Sequence, residues 1–195
     1  SWVKVTFENF GENYEVLPES KIIIMDDGEG MTKKTLSTKF LNPATPGKKL
    51  KKQKNDKTAK GRIIQGEKGI GRFAMLKLGR KIDVISKTLD DDYEHILHYD
   101  FSKYDTDFLK ENNKEKELFI DDLSVQLEER TPETFVKQDI VHGIKKDIQP
   151  AKGTVIEISK LNEGWTEEKV KNVANDIVKL QSIFDAITNT KQEKV

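Results

Sequence analysis

Three glycines fall within six residues in Gly66-Glu67-Lys68-Gly69-Ile70-Gly71, just before a stretch at 73–78 with helical character. Such a loop leaves backbone N–H groups uncrowded at a helix start, where an anion can bind. The same composition also describes a surface turn. The segment lacks the Gly-Lys-Ser/Thr ending of a P-loop. Gly69-Ile70-Gly71-Arg72-Phe73-Ala74 matches a Gly-x-Gly-x-x-Ala dinucleotide pattern, but residues 62–65 are a short lead-in and the βαβ context is poor. A second segment, Asp26-Asp27-Gly28-Glu29-Gly30-Met31, ends the apolar run Ile22-Ile23-Ile24 on paired carboxylates. Asp-Gly after an apolar run is equally a hairpin signal, so neither segment decides anything alone.

The elements that would position these segments are readable from periodicity. Residues 2–8 alternate, with Val3, Val5 and Phe7 on one face, and predict a strand. Residues 21–25 form a short β-branched strand suited to burial on both faces. Residues 31–41 have helical character, with Thr32 as an N-cap, and Asn42-Pro43 breaks it. Residues 46–61 carry no apolar period and read as loop. A helix start at 73–78 ends at Gly79, and residues 81–87 and 93–101 then form a hairpin around Leu89-Asp90-Asp91-Asp92. Residues 103–116 read as an inserted loop or short helix, and 118–127 and 153–159 as further strands. From Thr166 onward Val170, Val173, Ile177, Leu180, Phe184 and Ile187 recur at helical spacing, which predicts a helix packed on the sheet. This order predicts an α/β (α+β) two-layer sandwich, a mixed sheet covered by helices on one face.

At 195 residues and 35% hydrophobic content the chain suits one soluble domain, placed here at residues 1–190. No apolar run approaches the roughly 20 residues that span a bilayer, and residues 1–4 do not begin a secretory signal. The absence of cysteine excludes disulfides and thiolate metal sites and fits a reducing cytoplasm. Net charge is zero, yet residues 33–62 hold eleven Lys or Arg and one acid, Asp56. Such a run is either solvated charge or an element that approaches phosphates of a nucleotide or nucleic acid. Its single aromatic, Phe40, leaves it poorly equipped to stack on bases. His95 and His98 fall on opposite strand faces and His142 is isolated, so the histidines do not form a metal set.

Taken together, Asp26-x-Gly28-x-Gly30, Gly66-x-x-Gly69-x-Gly71 and Gly153-Thr154 resemble the three motifs of the GHKL superfamily of ATP-binding domains. That superfamily includes DNA gyrase B subunits, MutL proteins, sensor histidine kinases and ninety-kilodalton heat-shock chaperones. The order and separations agree, and the resemblance covers most of residues 1–160. "GEKGIGRFAMLKLG" is most similar to prokaryotic members with a heat-shock-chaperone-like ATPase domain, found in nucleic-acid-processing and defence proteins. The resemblance implies the Bergerat fold, a largely antiparallel sheet with helices on one face.

It also implies a task for each residue. Asp26 would accept the adenine amino group, Thr154 would hold a bridging water, Gly28 and Gly30 would admit the base, and Met31 would pack on it. Gly66, Gly69 and Gly71, with Lys68, Ile70 and Arg72, would line the phosphates of ATP or ADP. Residues 31–65 would be the ATP lid and residues about 103–150 an insertion. Asp27 is expected to be a solvated neighbour. The family's helix before the first strand supplies a glutamate that activates water and an asparagine that binds Mg2+. With a strand beginning at Trp2, that helix is expected to lie outside this chain, which is then expected to be an inactive fragment with no catalytic residue of its own. In the larger protein the implied partners are a second copy as a homodimer, and a client protein or nucleic acid. A non-catalytic nucleotide sensor is the alternative.

Overall fold

The computed structural model describes residues 2–40, 74–102, 108–111, 114–117, 125–136 and 151–189. Six strands form one sheet: β1 (Val3–Glu8), β2 (Lys21–Asp26), β3 (Gly79–Lys87), β4 (Glu94–Asp100), β7 (Val125–Arg130) and β8 (Gly153–Leu161). Their spatial order is β1-β2-β8-β3-β4-β7. Every pairing among the described residues is antiparallel, in keeping with the expected largely antiparallel sheet. The remaining strands, β5 (Phe108–Glu111) and β6 (Lys114–Glu117), make a separate two-stranded sheet where the sequence predicts a loop or short helix. Their backbone register sets Lys110 opposite Glu115 and Glu111 opposite Lys114, in a stretch whose polarity alone reads as loop. β7 lies within the expected insertion at about 103–150, yet it is the edge strand of the main sheet.

The period of two along each strand sorts side chains into rows that run across the sheet. One row is Phe7, Ile22, Ile158, Ile82, Tyr99 and Val125, and the next is Val5, Ile24, Ile156, Val84, Leu97 and Leu127. Both rows belong to the main core, and two helical pieces, a π-helical turn and a short α-helix, add to that core. α1 (Lys33–Thr35) starts at Thr32, whose hydroxyl accepts the Thr35 N–H at 3.2 Å, as the sequence predicts for its cap. It runs into a π-helical turn, Leu36–Phe40, which buries Leu36 fully. α2 (Met75–Leu78) buries Met75 and ends at Gly79. The Asn162 side-chain amide donates to the carbonyls of Leu76 and Lys77, both at 3.2 Å, and so satisfies acceptors that a helix end leaves open.

α3 (Glu167–Asn189) forms where the helical spacing predicts it. Trp165, just before it, packs edge-on against Phe7 with ring centroids 5.0 Å apart. Its first turns, through Val170 and Ala174, face Phe7, Phe10 and Tyr14 across an open groove of about 610 Å³. Among the described residues no strand packs extensively along the helix body, and Val178 is 61% exposed. Val170, Val173 and Ile177 are half-buried, flanked by exposed Lys171, Asn172, Asn175 and Asp176.

The opposite face of the sheet carries a smaller core of Ile85, Ile96, Val155 and Phe135, with Ile23 and Met25 against it. The predicted two-sided burial of β2 is therefore observed. Phe135 comes from residues 131–136, which a buried carboxylate holds in place. The Glu94 side chain is 0% exposed, with Oε1 2.7 Å from both Nε and a terminal nitrogen of Arg130. Its Oε2 accepts the N–H of Thr134 at 3.0 Å and of Phe135 at 3.2 Å. Burial alone would raise the Glu94 pKa, but these hydrogen bonds outweigh it and hold the carboxyl below its usual range. A depressed carboxylate stabilises the fold above its unfolded pKa of about 4.3, and the contribution is lost as pH falls through the lower folded value. Glu94→Gln should therefore cost about 1.5–3 kcal/mol at pH 7 in denaturant unfolding, and the gap from wild type should close at strongly acidic pH. A gap that stays constant with pH would contradict this account.

Candidate functional site

Two residues beyond the second apolar row, the same sheet face turns polar. Register aligns Asp26 with Thr154, Thr154 with Ser86, Ser86 with His95, and His95 with Glu129. Asp26 and Thr154 were expected at a site from their motifs, while Ser86 was not. Its signal was present as the polar member of the inward-facing series Ile82, Val84, Ser86. Ser86 is 0% exposed, and its hydroxyl has three neighbours at 2.9 Å: the Met31 N–H, the Gly153 carbonyl and the Thr154 hydroxyl.

These contacts explain the path of residues 27–31. The turn leaves β2, crosses the start of β8 and reaches the end of β3, where Met31 is tied to Ser86. Gly28 donates its N–H to Asp26 Oδ1 at 2.7 Å, an Asx-type turn. At Gly30 φ is +70°, and a Cβ would stand 1.9 Å from the Lys87 carbonyl oxygen. At Gly153 φ is +143°, and a Cβ would stand 2.0 Å from the Asp26 carbonyl oxygen. Only glycine permits these two crossings. Met31 itself is half-buried against the main core. Asp27 points the other way: its Oδ1 accepts the Trp2 N–H at 2.7 Å, extending the pairing of β1 with β2. The expected solvated neighbour is thus a strand-end clamp, and the two carboxylates are not a dyad. Glu29 pairs with Lys152 at 2.7 Å, joining the turn to the approach of β8.

Farther along the row, His95 is buried, with Nε2 2.8 Å from Asp91 Oδ2 and Nδ1 3.4 Å from Glu129 Oε2. Glu129 Oε2 also lies 3.4 Å from Lys33 Nζ at the start of α1. His98 is on the other face, between Asp83 and Glu128, as the spacing of the two histidines predicts. Among the described residues no group of His, Asp or Glu is arranged to hold a metal ion. Gly66, Lys68, Gly69, Ile70, Gly71 and Arg72 lie outside the described residues, as do His142 and most of the expected lid at 31–65.

Desolvation raises the Asp26 pKa, with backbone hydrogen bonds from Gly28 and Thr154 opposing and the neighbouring Asp27 charge adding to it. A carboxylate with a raised folded pKa favours the fold below its unfolded value of about 4, and that advantage is lost as pH rises through the folded value. The ligand-free protein therefore carries a cost at neutral pH. Asp26→Asn, which keeps an oxygen for Gly28, should melt higher than wild type at pH 7, with the difference vanishing below about pH 4. A lower melting temperature at pH 7 would contradict a desolvated Asp26.

Residues 3–134 match the family described as histidine kinase-, DNA gyrase B-, and HSP90-like ATPase. The chaperone protein HtpG of Oceanobacillus iheyensis is 28% identical over 193 residues, an alignment that takes in 90% of this chain and 28% of HtpG. The chain thus spans little more than a quarter of that relative's length. The matched range holds the 26–31 turn, Ser86 and the Glu94 clasp, on a six-stranded antiparallel sheet with short helices against one face. The chain belongs to the histidine kinase-, DNA gyrase B- and HSP90-like ATPase family.

Proposed function

We propose that this chain is the adenine-nucleotide-binding part of a larger ATPase in which ATP drives closure of a lid and a change of conformation. The observation that carries the reading is the juxtaposition of Asp26 and Thr154 on one polar row at the end of an apolar sheet face. A carboxylate there accepts the amino N–H of adenine and repels the oxygen that guanine has in its place. A carboxylate offers about four lone-pair sites, so the backbone N–H groups of Gly28 and Thr154 leave capacity for a ligand. Thr154 holds a water against the ring nitrogen. Gly28 and Gly30 keep the backbone clear beside the base, and Met31 bounds it with a polarisable side chain. In the proposed arrangement Gly66, Gly69 and Gly71 give N–H groups to the phosphates, with Lys68, Ile70 and Arg72 in the same loop.

The lid reading rests on residues 31–65, whose described beginning is anchored by Met31 to Ser86 and by buried Leu36. Beyond that anchor a lysine-rich segment suits a closing element near phosphates. Mg2+ would neutralise phosphate charge when bound; none of the described residues makes a set fitted to hold it, and no step is derived through it. The kinship with a protein named a chaperone favours a protein client over nucleic acid as the partner of the larger assembly. Homodimerisation and a cytoplasmic location belong to the same proposal.

The test is thermal unfolding with ADP. At about a hundred times its dissociation constant ADP should add roughly 2.7 kcal/mol, or about 5–10 °C in a chain of this size. Asp26→Asn should abolish most of that response while remaining folded. Equal responses in the two proteins would remove Asp26 from the adenine site.

A further inference from the structure

We propose that Ser86 sets the polarity of the pocket floor by holding the Thr154 hydroxyl as a hydrogen-bond acceptor toward the ligand, which makes Ser86 a specificity-determining positioning residue. The inference rests on the adenine reading above, and it comes from an inventory of protons. A serine hydroxyl has one proton and two lone pairs. Of the three neighbours of Ser86 Oγ, the Met31 N–H can only donate and the Gly153 carbonyl can only accept, both at 2.9 Å. The single Ser86 proton therefore goes to Gly153. The contact with Thr154 Oγ1, also at 2.9 Å, can be made only if Thr154 donates to Ser86.

Thr154 thus spends its proton inside the fold and shows lone pairs to the pocket. Across the strand pair, Asp26 is an acceptor too. The floor is acceptor-only at two adjacent positions. A six-amino purine fits such a floor: its amino group donates to Asp26, and a water that donates to both Thr154 and the ring nitrogen completes the pattern. A six-oxo purine meets no donor there. The burial of Ser86, with its hydroxyl enclosed by backbone on two sides, keeps the arrangement from relaxing.

Replacing Ser86 by alanine removes the acceptor that holds the Thr154 proton. That proton becomes free to turn into the pocket, directly or through water, and offers an oxo group the donor that the wild-type floor withholds. ADP and inosine diphosphate are the probes, since they differ only in this edge of the base. Titration calorimetry should show wild type preferring ADP, and Ser86→Ala should lower the ADP-to-IDP affinity ratio by roughly three- to tenfold, the worth of one neutral hydrogen bond. In a Thr154→Val background the same Ser86→Ala change should leave the ratio unaltered, because no proton remains to be released.

A merely structural Ser86 would weaken both nucleotides equally through the 27–31 turn, with the ratio constant, and that outcome overturns the inference. A ratio that falls equally in the Thr154→Val background overturns it as well. Should Ser86→Ala not fold, Ser86→Cys, which keeps the volume and weakens both hydrogen-bonding roles, carries the same expectation. Failure of the underlying reading looks different: wild type would show no preference for ADP, or Asp26→Asn would leave ADP binding intact.

Discussion

The Ser86 hydroxyl stands where three backbones that are remote in sequence must pass within hydrogen-bond distance of one another. It accepts from the 27–31 turn, donates to the start of β8 and lies on β3 itself. Two glycines make that convergence sterically allowed, since a side chain at Gly30 or Gly153 would occupy the space of a neighbouring carbonyl. Everything proposed for the nucleotide depends on this crossing, because it decides where Asp26, Thr154 and Met31 stand relative to one another. A buried, fully used hydroxyl is a rigid joint: loss of any one partner leaves a polar atom unsatisfied in a dry place.

The sheet beneath it is arranged as a gradient. Two apolar rows carry the helices, and the third row on the same face is Asp26, Thr154, Ser86 and His95. Burial of the first two rows supplies the adhesion. In the third row Ser86 and Thr154 are joined to each other, and Asp26 is joined to the Gly28 N–H. The opposite face gives the same end of the sheet its second support: Phe135 covers Ile85, Ile96 and Val155, and the Glu94–Arg130 pair keeps Phe135 there. A Cβ on Gly153 would also come within 3.2 Å of Phe135. This end of the sheet is thus packed from behind as well as pinned from the front.

Part of this was legible from the chain. β1, β2, the β3–β4 hairpin and β8 follow from strict alternation of apolar residues, which records burial on a pleated surface. Thr32 and Gly79 marked helix ends for local reasons of hydrogen bonding and sterics. Other features resisted reading. β6 is written wholly in charged residues and β5 has only Phe108 and Leu109 as apolar members, so the two lack an alternating apolar signature. α3 has helical periodicity, but periodicity does not say which surface meets its apolar stripe.

By itself the sequence determined β1 to β4, β8 and the short helices, the membership of Asp26, Gly28, Gly30 and Thr154 in recognisable motifs, and the concentration of positive charge at 33–62. Those properties are local, or they are carried by residue types at fixed spacing. Only the tertiary structure decided that the sheet is antiparallel throughout its described part, that Asp27 serves β1 instead of the site, and that Ser86 joins the motifs. Strand register and strand order bring residues 55 and 68 positions from Ser86 and 86 and 41 positions apart elsewhere into contact, as with Met31, Thr154, Asn162 and Phe135. Side-chain chemistry proposes partners, but the pairing of backbones chooses among them.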